Sequence, residues 1–175
     1  YRAGIAVLAA TLLSTAVAPV VMAQPAKTAA AVTKLGNLED REAVEAVMVR
    51  YMHAFDQYDA DAYTNCFTSD GQMSFGGQTF TGTKEIHSIL GEGIIQKQQE
   101  LWLKQPLNTM KGYHLLNNVN INIVSPDEAH VRSYWHWITG PSGSGPYSLT
   151  AIGVYDDVIV RTPQGWKIKK RVVTL

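Results

Sequence analysis

From Gly112 to the C-terminus, apolar residues recur at every second position through consecutive stretches separated by turns, whereas before Gly112 the dominant spacing is three to four. Val119, Ile121 and Ile123 alternate with Asn118, Asn120 and Asn122. After the Ser125–Glu128 turn, Ala129, Val131, Ser133, Trp135 and Trp137 alternate in the same way. A Gly/Ser/Pro loop, residues 140–146, leads to a long strand over 147–161. Thr162-Pro163-Gln164-Gly165 then turns the chain into a last strand over 166–174. A period of two marks strands with one buried face, and a period of three to four marks amphipathic helices. Helices first and an antiparallel meander afterwards define an α+β domain, with the helices gathered against one side of a sheet.

The helical half begins at residues 38–56. Asn37 supplies a cap, Glu39, Asp40 and Glu42 sit where the helix dipole favours acids, and Val44, Val47, Met48, Tyr51 and Phe55 form the inward stripe. After a break at 56–59, Asp59 or Asp61 caps a short second helix carrying Tyr63, Cys66 and Phe67. Short strands at 73–75 and 79–80 flank a Gly76-Gly77 turn. Thr83 caps a third helix with Ile86, Ile89, Leu90 and Ile94 at helical spacing, and residues 96–111 read as a polar stretch ending in a loop.

The first residues do not resemble the rest. Arg2 precedes an apolar run from Ile5 to Met22 that closes on Val21-Met22-Ala23, the pattern of a secretory signal peptide cleaved after Ala23. Residues 1–23 are therefore expected to direct export, to a periplasm or outside the cell. An uncleaved anchor is the alternative, since about 20 apolar residues span a bilayer. Residues 24–36 read as a linker and residues 37–175 as one domain, with no membrane contact once the leader is removed.

Formal charge is zero, and the only basic cluster is Lys167, Lys169, Lys170 and Arg171 in the last strand. Nucleic-acid binding needs a wide basic stripe, so that class of partner is not expected. One cysteine, Cys66, excludes an internal disulfide and reads as a small buried hydrophobe. No HExxH, CxxC, P-loop or GxSxG motif occurs, so no metal or cofactor is expected.

Three stretches in order resemble the SnoaL-like, NTF2-like family. They are Tyr51-x4-Asp56-x2-Asp59 through Phe67-x2-Asp70-Gly71, then His114-x2-Asn117 after Tyr113, and Gly153-x-Tyr155-x-Asp157 through Arg161, Gly165-Trp166 and Arg171. The resemblance implies a cone formed by three helices on a curved mixed sheet, often a homodimer, with a small apolar or cyclic molecule inside. Its members include dehydratases, isomerases, cyclases and non-catalytic binding or assembly subunits, so fold alone does not fix a reaction.

In dehydratases of this fold, such as scytalone dehydratase and bile-acid 7α-dehydratase, the first helix supplies an acid and the long strand a histidine. Asp56 and His114 stand at those places, and Tyr51 precedes the acid by five residues, as in the bile-acid enzyme. The resemblance thus implies Tyr51, Asp56 and His114 as catalytic candidates and Phe55, Tyr58, Phe75, Trp135 and Tyr155 as substrate-contacting walls. Phe55 and Trp135 replace polar residues of scytalone dehydratase, which makes the pocket more apolar. A histidine, which ordinarily titrates at about 6.5, can take and return a proton, an aspartate can fix its tautomer, and a tyrosine can polarise a carbonyl. Strict alternation, however, puts His114 on the face opposite Val119, Ile121 and Ile123. It points inward only if a bulge, for which Asn117-Asn118 is the candidate, shifts the phase. Of Asp156 and Asp157, which point to opposite faces, one should be buried, with Arg171 or Arg161 as its partner. Two readings follow: an exported lyase or isomerase for a small hydroxylated or cyclic carbonyl compound, or a non-catalytic module using the same cone for an apolar ligand or for assembly.

Overall fold

The computed structural model describes residues 25–104, 106, 109–143 and 145–175, so the expected leader at 1–23 lies outside the described residues. Four helices, α1 (Pro25–Asp56), α2 (Ala60–Asn65), α3 (Gly82–Gly91) and α4 (Ile94–Leu103), precede the long strands. The strands are β1 (Phe67–Phe75), β2 (Gln78–Thr81), β3 (Met110–Ser125), β4 (Glu128–Pro141), β5 (Ser148–Thr162) and β6 (Gly165–Thr174). They form one six-stranded sheet in the order β2-β1-β6-β5-β4-β3. Every neighbouring pair is antiparallel except β1 and β6, which run parallel.

Two boundaries differ from the periodicity reading. Helix α1 starts at Pro25 and so takes in the stretch read as a linker. Proline suits a first helical position, and the Ala-rich segment after it has high helix propensity. Periodicity flags only helices that bury a face. The expected third helix is also broken, because Gly93 takes a left-handed φ of 70° and restarts the chain as α4 through the polar stretch. In α2, Asp59 is the cap, its carboxylate accepting from the Ala62 N–H at 2.9 Å.

The core lies between α1 and the inner face of the sheet, where Val44, Val47, Met48 and Tyr51 meet Ile121, Val131, Tyr155, Ile159 and Ile168. Helix α1 runs along the free edge of β3 and is tied to it at two points. Arg41 donates to the Ile121 carbonyl, and Asp56 accepts from the His114 N–H. Fifteen helical residues rise about 22 Å and seven strand residues about 23 Å, so the two anchors are commensurate. The helix thereby covers an edge that would otherwise present unpaired backbone groups.

Two bulges re-aim side chains. On β3 the register slips by one residue between Asn117 and Asn120, and Asn118 takes a φ of +49°. Residues 110–117 are thereby shifted in phase, and His114 joins the face that carries Trp135 and Trp137. On β6, Lys169 is the extra residue between the Lys170–Val158 and Ile168–Ile159 pairs. Without it, the phase of Trp166 and Ile168 would turn Lys170 inward; with it, Arg171 is inward.

Arg171 and Asp157 are both fully buried. Arg171 Nε and Nη2 each donate to one Asp157 carboxylate oxygen at 2.7 Å. Its guanidinium lies between the Tyr51 ring at 3.9 Å and the Tyr155 ring at 4.2 Å. Burial pushes the Asp157 carboxyl up while the guanidinium pulls it down. Arg171 itself is held charged by that carboxylate, and the two-pronged geometry is that of an ionised pair. Asp156, on the outer face, pairs with Arg132 at 3.2 Å in solvent. Arg161 reaches Asp40 at 2.5 Å and stacks on Trp166.

Arg171→Met should cost about 3–5 kcal/mol of stability, because it leaves a buried carboxylate alone. Asp157 would then sit further above its unfolded value of about 3.9. The variant should be least destabilised near pH 4 and lose stability as pH rises through the raised folded value. Urea midpoints measured between pH 4 and 8 check the sign. The Asp157→Leu/Arg171→Met double variant should recover most of the loss and the pH dependence.

Candidate active site

Between α1, α4 and the inner face of the sheet lies a cavity of about 360 Å³. Its walls are mostly carbon: Phe55 from α1, Phe75 from β1, Phe80 from β2, Trp135 and Trp137 from β4, and Tyr155 from β5. Trp135 stacks on Tyr155 with centroids 5.7 Å apart. Small residues make room for the two indoles, since a Cβ at Gly153 would lie 2.6 Å from the Trp135 ring and one at Gly112 would lie 2.4 Å from Trp137 Nε1.

His114 places its imidazole on this wall. Its side chain is 6% exposed, packed edge-on against Phe55 at 4.7 Å and stacked on Trp137 at 6.2 Å. Its Nδ1 meets Asp56 Oδ1 at 2.5 Å, while its own backbone N–H donates to Asp56 Oδ2 at 2.9 Å. One carboxylate thus grips both the main chain and the ring of the same residue. A carboxylate at Nδ1 favours the proton there, so in the neutral ring Nε2 carries the lone pair. Asp56 lies outside the cavity lining, at the end of α1, and so reaches the cavity only through His114.

Tyr51 lines the same cavity with its ring. Its hydroxyl lies 3.3 Å from the Tyr63 hydroxyl, deep in the core, and burial pushes both phenols up. Phe55, Phe75, Trp135 and Tyr155 line the cavity, and Tyr58 does not. Its φ of 53° turns it away after α1, and its hydroxyl donates to Gln99 Oε1 at 2.8 Å. The Tyr58 phenol is pushed up to about 12, chiefly by burial. Sequence reasoning passed over Gln99, a 3%-exposed residue on the cavity wall, because its segment carries no strong apolar period. Cys66 is buried with its thiol pushed up by burial, and it lies away from this cavity. Among the described residues no group of three or more His, Cys, Asp or Glu is arranged to hold a metal ion.

An open α+β cone with a histidine–aspartate pair on the wall of an apolar cavity defines a class of small-molecule pocket proteins. The chain belongs to the SnoaL-like domain family, whose model matches residues 36–172. The uncharacterized protein Rv2910c of Mycobacterium tuberculosis is 30% identical over 141 residues, covering 80% of this chain and 88% of the relative. A provisionally named scytalone dehydratase from Novosphingobium aromaticivorans superposes with a TM-score of 0.63 at 26% identity, covering 81% of this chain and 89% of that one. An NTF2-like protein with a cystatin-like fold from the same species superposes at 0.66 with 22% identity, covering 88% and 91%.

Asn118→Gly should leave stability nearly unchanged, because glycine accepts the left-handed φ at the bulge. Asn118→Ile should cost about 1–2 kcal/mol, the penalty of forcing a branched side chain into that region. Equal urea midpoints for the two variants would contradict the geometry.

Proposed function

We propose that the chain is a cofactor-independent lyase or isomerase acting on a small, largely apolar hydroxylated or cyclic carbonyl compound. The observation that carries this reading is the His114–Asp56 pair, with Nδ1 committed to the carboxylate and the ring on the wall of an apolar cavity. A cavity that served only to hold an apolar ligand would not need a carboxylate-oriented imidazole in its wall.

The elimination can be written with one residue moving the proton. His114 Nε2 takes the acidic proton beside the substrate carbonyl, and the C–H electron pair forms the carbon–carbon double bond. The C–O bond breaks, and the departing hydroxide takes the same proton back from Nε2 as water. The imidazolium that exists between the two steps is stabilised by Asp56, which also keeps the ring from turning. Isomerisation uses the same acid–base pair, with the proton returned to a different carbon. Tyr51 contributes a wall in this scheme, its hydroxyl being shared with Tyr63. The name of the 26%-identical Novosphingobium structure accords with dehydration chemistry.

Export remains part of the proposal, on the strength of Arg2, the apolar run and Ala23. No helix among the described residues is long and apolar enough to cross a membrane. A homodimer is proposed through the outer face of the sheet, where Leu115, Tyr134, Leu149 and Ile152 are exposed. Light scattering should give about twice the chain mass, and Leu115→Lys should return it to one.

The function is tested with a β-hydroxy aryl ketone such as 3-hydroxyindan-1-one, following loss of water by absorbance and exchange of the α-proton in D2O by NMR. His114→Ala should lower either rate by about 10²–10⁴-fold with circular dichroism unchanged, the usual worth of a positioned acid–base group. Undiminished rates in that variant would sink the acid–base assignment. Absence of both reactions across a panel of such ketones, with tight binding retained, would favour a binding module.

A further inference from the structure

Resting on the reading of the cavity as a carbonyl-compound site, we infer that the side-chain amide of Gln99 is the donor that recognises the ligand's carbonyl oxygen, with Tyr58 as the residue that positions it. The ligand class is then narrower: an aromatic or cyclic ketone whose oxygen points toward α4 while its acidic C–H faces His114.

Three observations converge on this residue. Gln99 is buried, on the middle of α4, and lines the cavity. Among the described residues its side chain makes one hydrogen bond, accepted by Oε1 from the Tyr58 hydroxyl at 2.8 Å. Tyr58 lies outside the cavity, on the turn after α1, so a bond to the amide oxygen from that side turns the amide nitrogen toward the cavity. An amide has two N–H donors, and both are without a partner among the described residues. A polar side chain this deeply buried ordinarily uses its donors, and a ligand oxygen is the acceptor the cavity lacks.

Two other polar groups near the wall are already committed, whereas the Trp135 indole N–H on the same wall is also without a partner among the described residues. The Tyr51 hydroxyl is paired with Tyr63, and the Arg171 guanidinium is held by Asp157 between two rings. His114 presents an acceptor at Nε2, which suits a proton to be removed and not a carbonyl oxygen. The buried ion pair is neutral as a unit and so offers no net charge behind the wall, while Lys97 lies in the lining on the exposed side of α4.

The phenol pushed up to about 12 keeps Tyr58 protonated, and thus a donor to Oε1, throughout the working pH range. Loss of that bond frees the amide to rotate and to offer its oxygen to the ligand instead. Tyr58 therefore acts through Gln99, without touching the ligand.

The test reads binding alone, so it is independent of whether the protein turns anything over. The probes are 2-acetylnaphthalene and its isostere 2-isopropenylnaphthalene, which lacks the carbonyl acceptor, titrated against the fluorescence of the cavity tryptophans. The wild-type chain should prefer the ketone by about tenfold, the upper worth of one neutral hydrogen bond. Gln99→Leu should erase the preference by weakening the ketone and leaving the hydrocarbon unchanged or tighter. Tyr58→Phe should reduce the preference severalfold without altering hydrocarbon affinity, an effect that general loosening of the fold would not produce. His114→Ala should keep the preference. Thermal melts verify that each variant is folded; should Gln99→Leu fail to fold, Tyr58→Phe decides the question. An unchanged ketone-to-hydrocarbon ratio in Gln99→Leu, or in Tyr58→Phe where that variant decides, overturns the proposal, as does a wild-type chain with no ketone preference or no affinity for either probe. Loss of the preference in His114→Ala would move carbonyl recognition to the histidine and also overturn it. A preserved preference with no elimination on any substrate would retire the lyase reading and leave Gln99 in place.

Discussion

A fully buried guanidinium organises the interior of this protein. Arg171 is bound through two nitrogens to Asp157, sandwiched by Tyr51 and Tyr155, and touches the Met48 sulfur, so one side chain joins α1, β5 and β6. Charge burial on this scale is costly unless both partners are matched, which makes the arrangement intolerant of small errors in register. The two tyrosines held against it are also cavity residues, Tyr155 backing Trp135 and Tyr51 bordering Phe55. The cavity wall is therefore set from behind by the ion pair, and its aromatic rings have little freedom to collapse into the empty volume.

That pair depends on an irregularity in a strand, and so does the candidate site. Alternation in Trp166-Lys167-Ile168 would carry Lys170 inward, and the extra residue at Lys169 substitutes Arg171. Alternation back from Ile123 and Ile121 would carry His114 outward, and the extra residue at Asn118 reverses it. A period-two pattern read from sequence locates strands well but is blind to a single inserted residue, since one slip flips every side chain beyond it. The Asn117-Asn118 bulge was legible because asparagine tolerates a left-handed φ and because an inward histidine required it. The Lys169 bulge had no such signal: the sequence called for one buried aspartate, Asp156 or Asp157, with Arg171 or Arg161 as its partner, and left the choice open. Helix α4 and the wall position of Gln99 were not legible. A mostly polar segment acquires its inner face only from what it covers, and Tyr58 leaves the wall through a backbone φ that tyrosine rarely adopts.

The chemistry proposed for the site rests on its largely apolar walls. In an apolar cavity a charge that appears during reaction is poorly solvated, and the few oriented polar groups at hand carry the stabilisation that water would otherwise supply. A histidine alone in such a wall would be free to choose its tautomer and its rotation. With Asp56 on Nδ1, both are chosen in advance, and the imidazolium has its counter-charge in place before it forms.

Asp56 ties this chemistry to the architecture more closely than a catalytic dyad requires. Its carboxylate accepts from the main-chain N–H of His114 as well as from the ring, and that N–H lies on the edge of β3 that no strand pairs. The same oxygen atoms therefore close a sheet edge, end the docking of α1 along it and aim an imidazole. An aspartate at the end of the first helix would be useful to this fold with any residue at position 114, because an edge N–H needs an acceptor in every case. The step from scaffold to acid–base site is then short. A histidine placed on that edge, one bulge away from the strand's main phase, inherits an acceptor that the fold already holds in position.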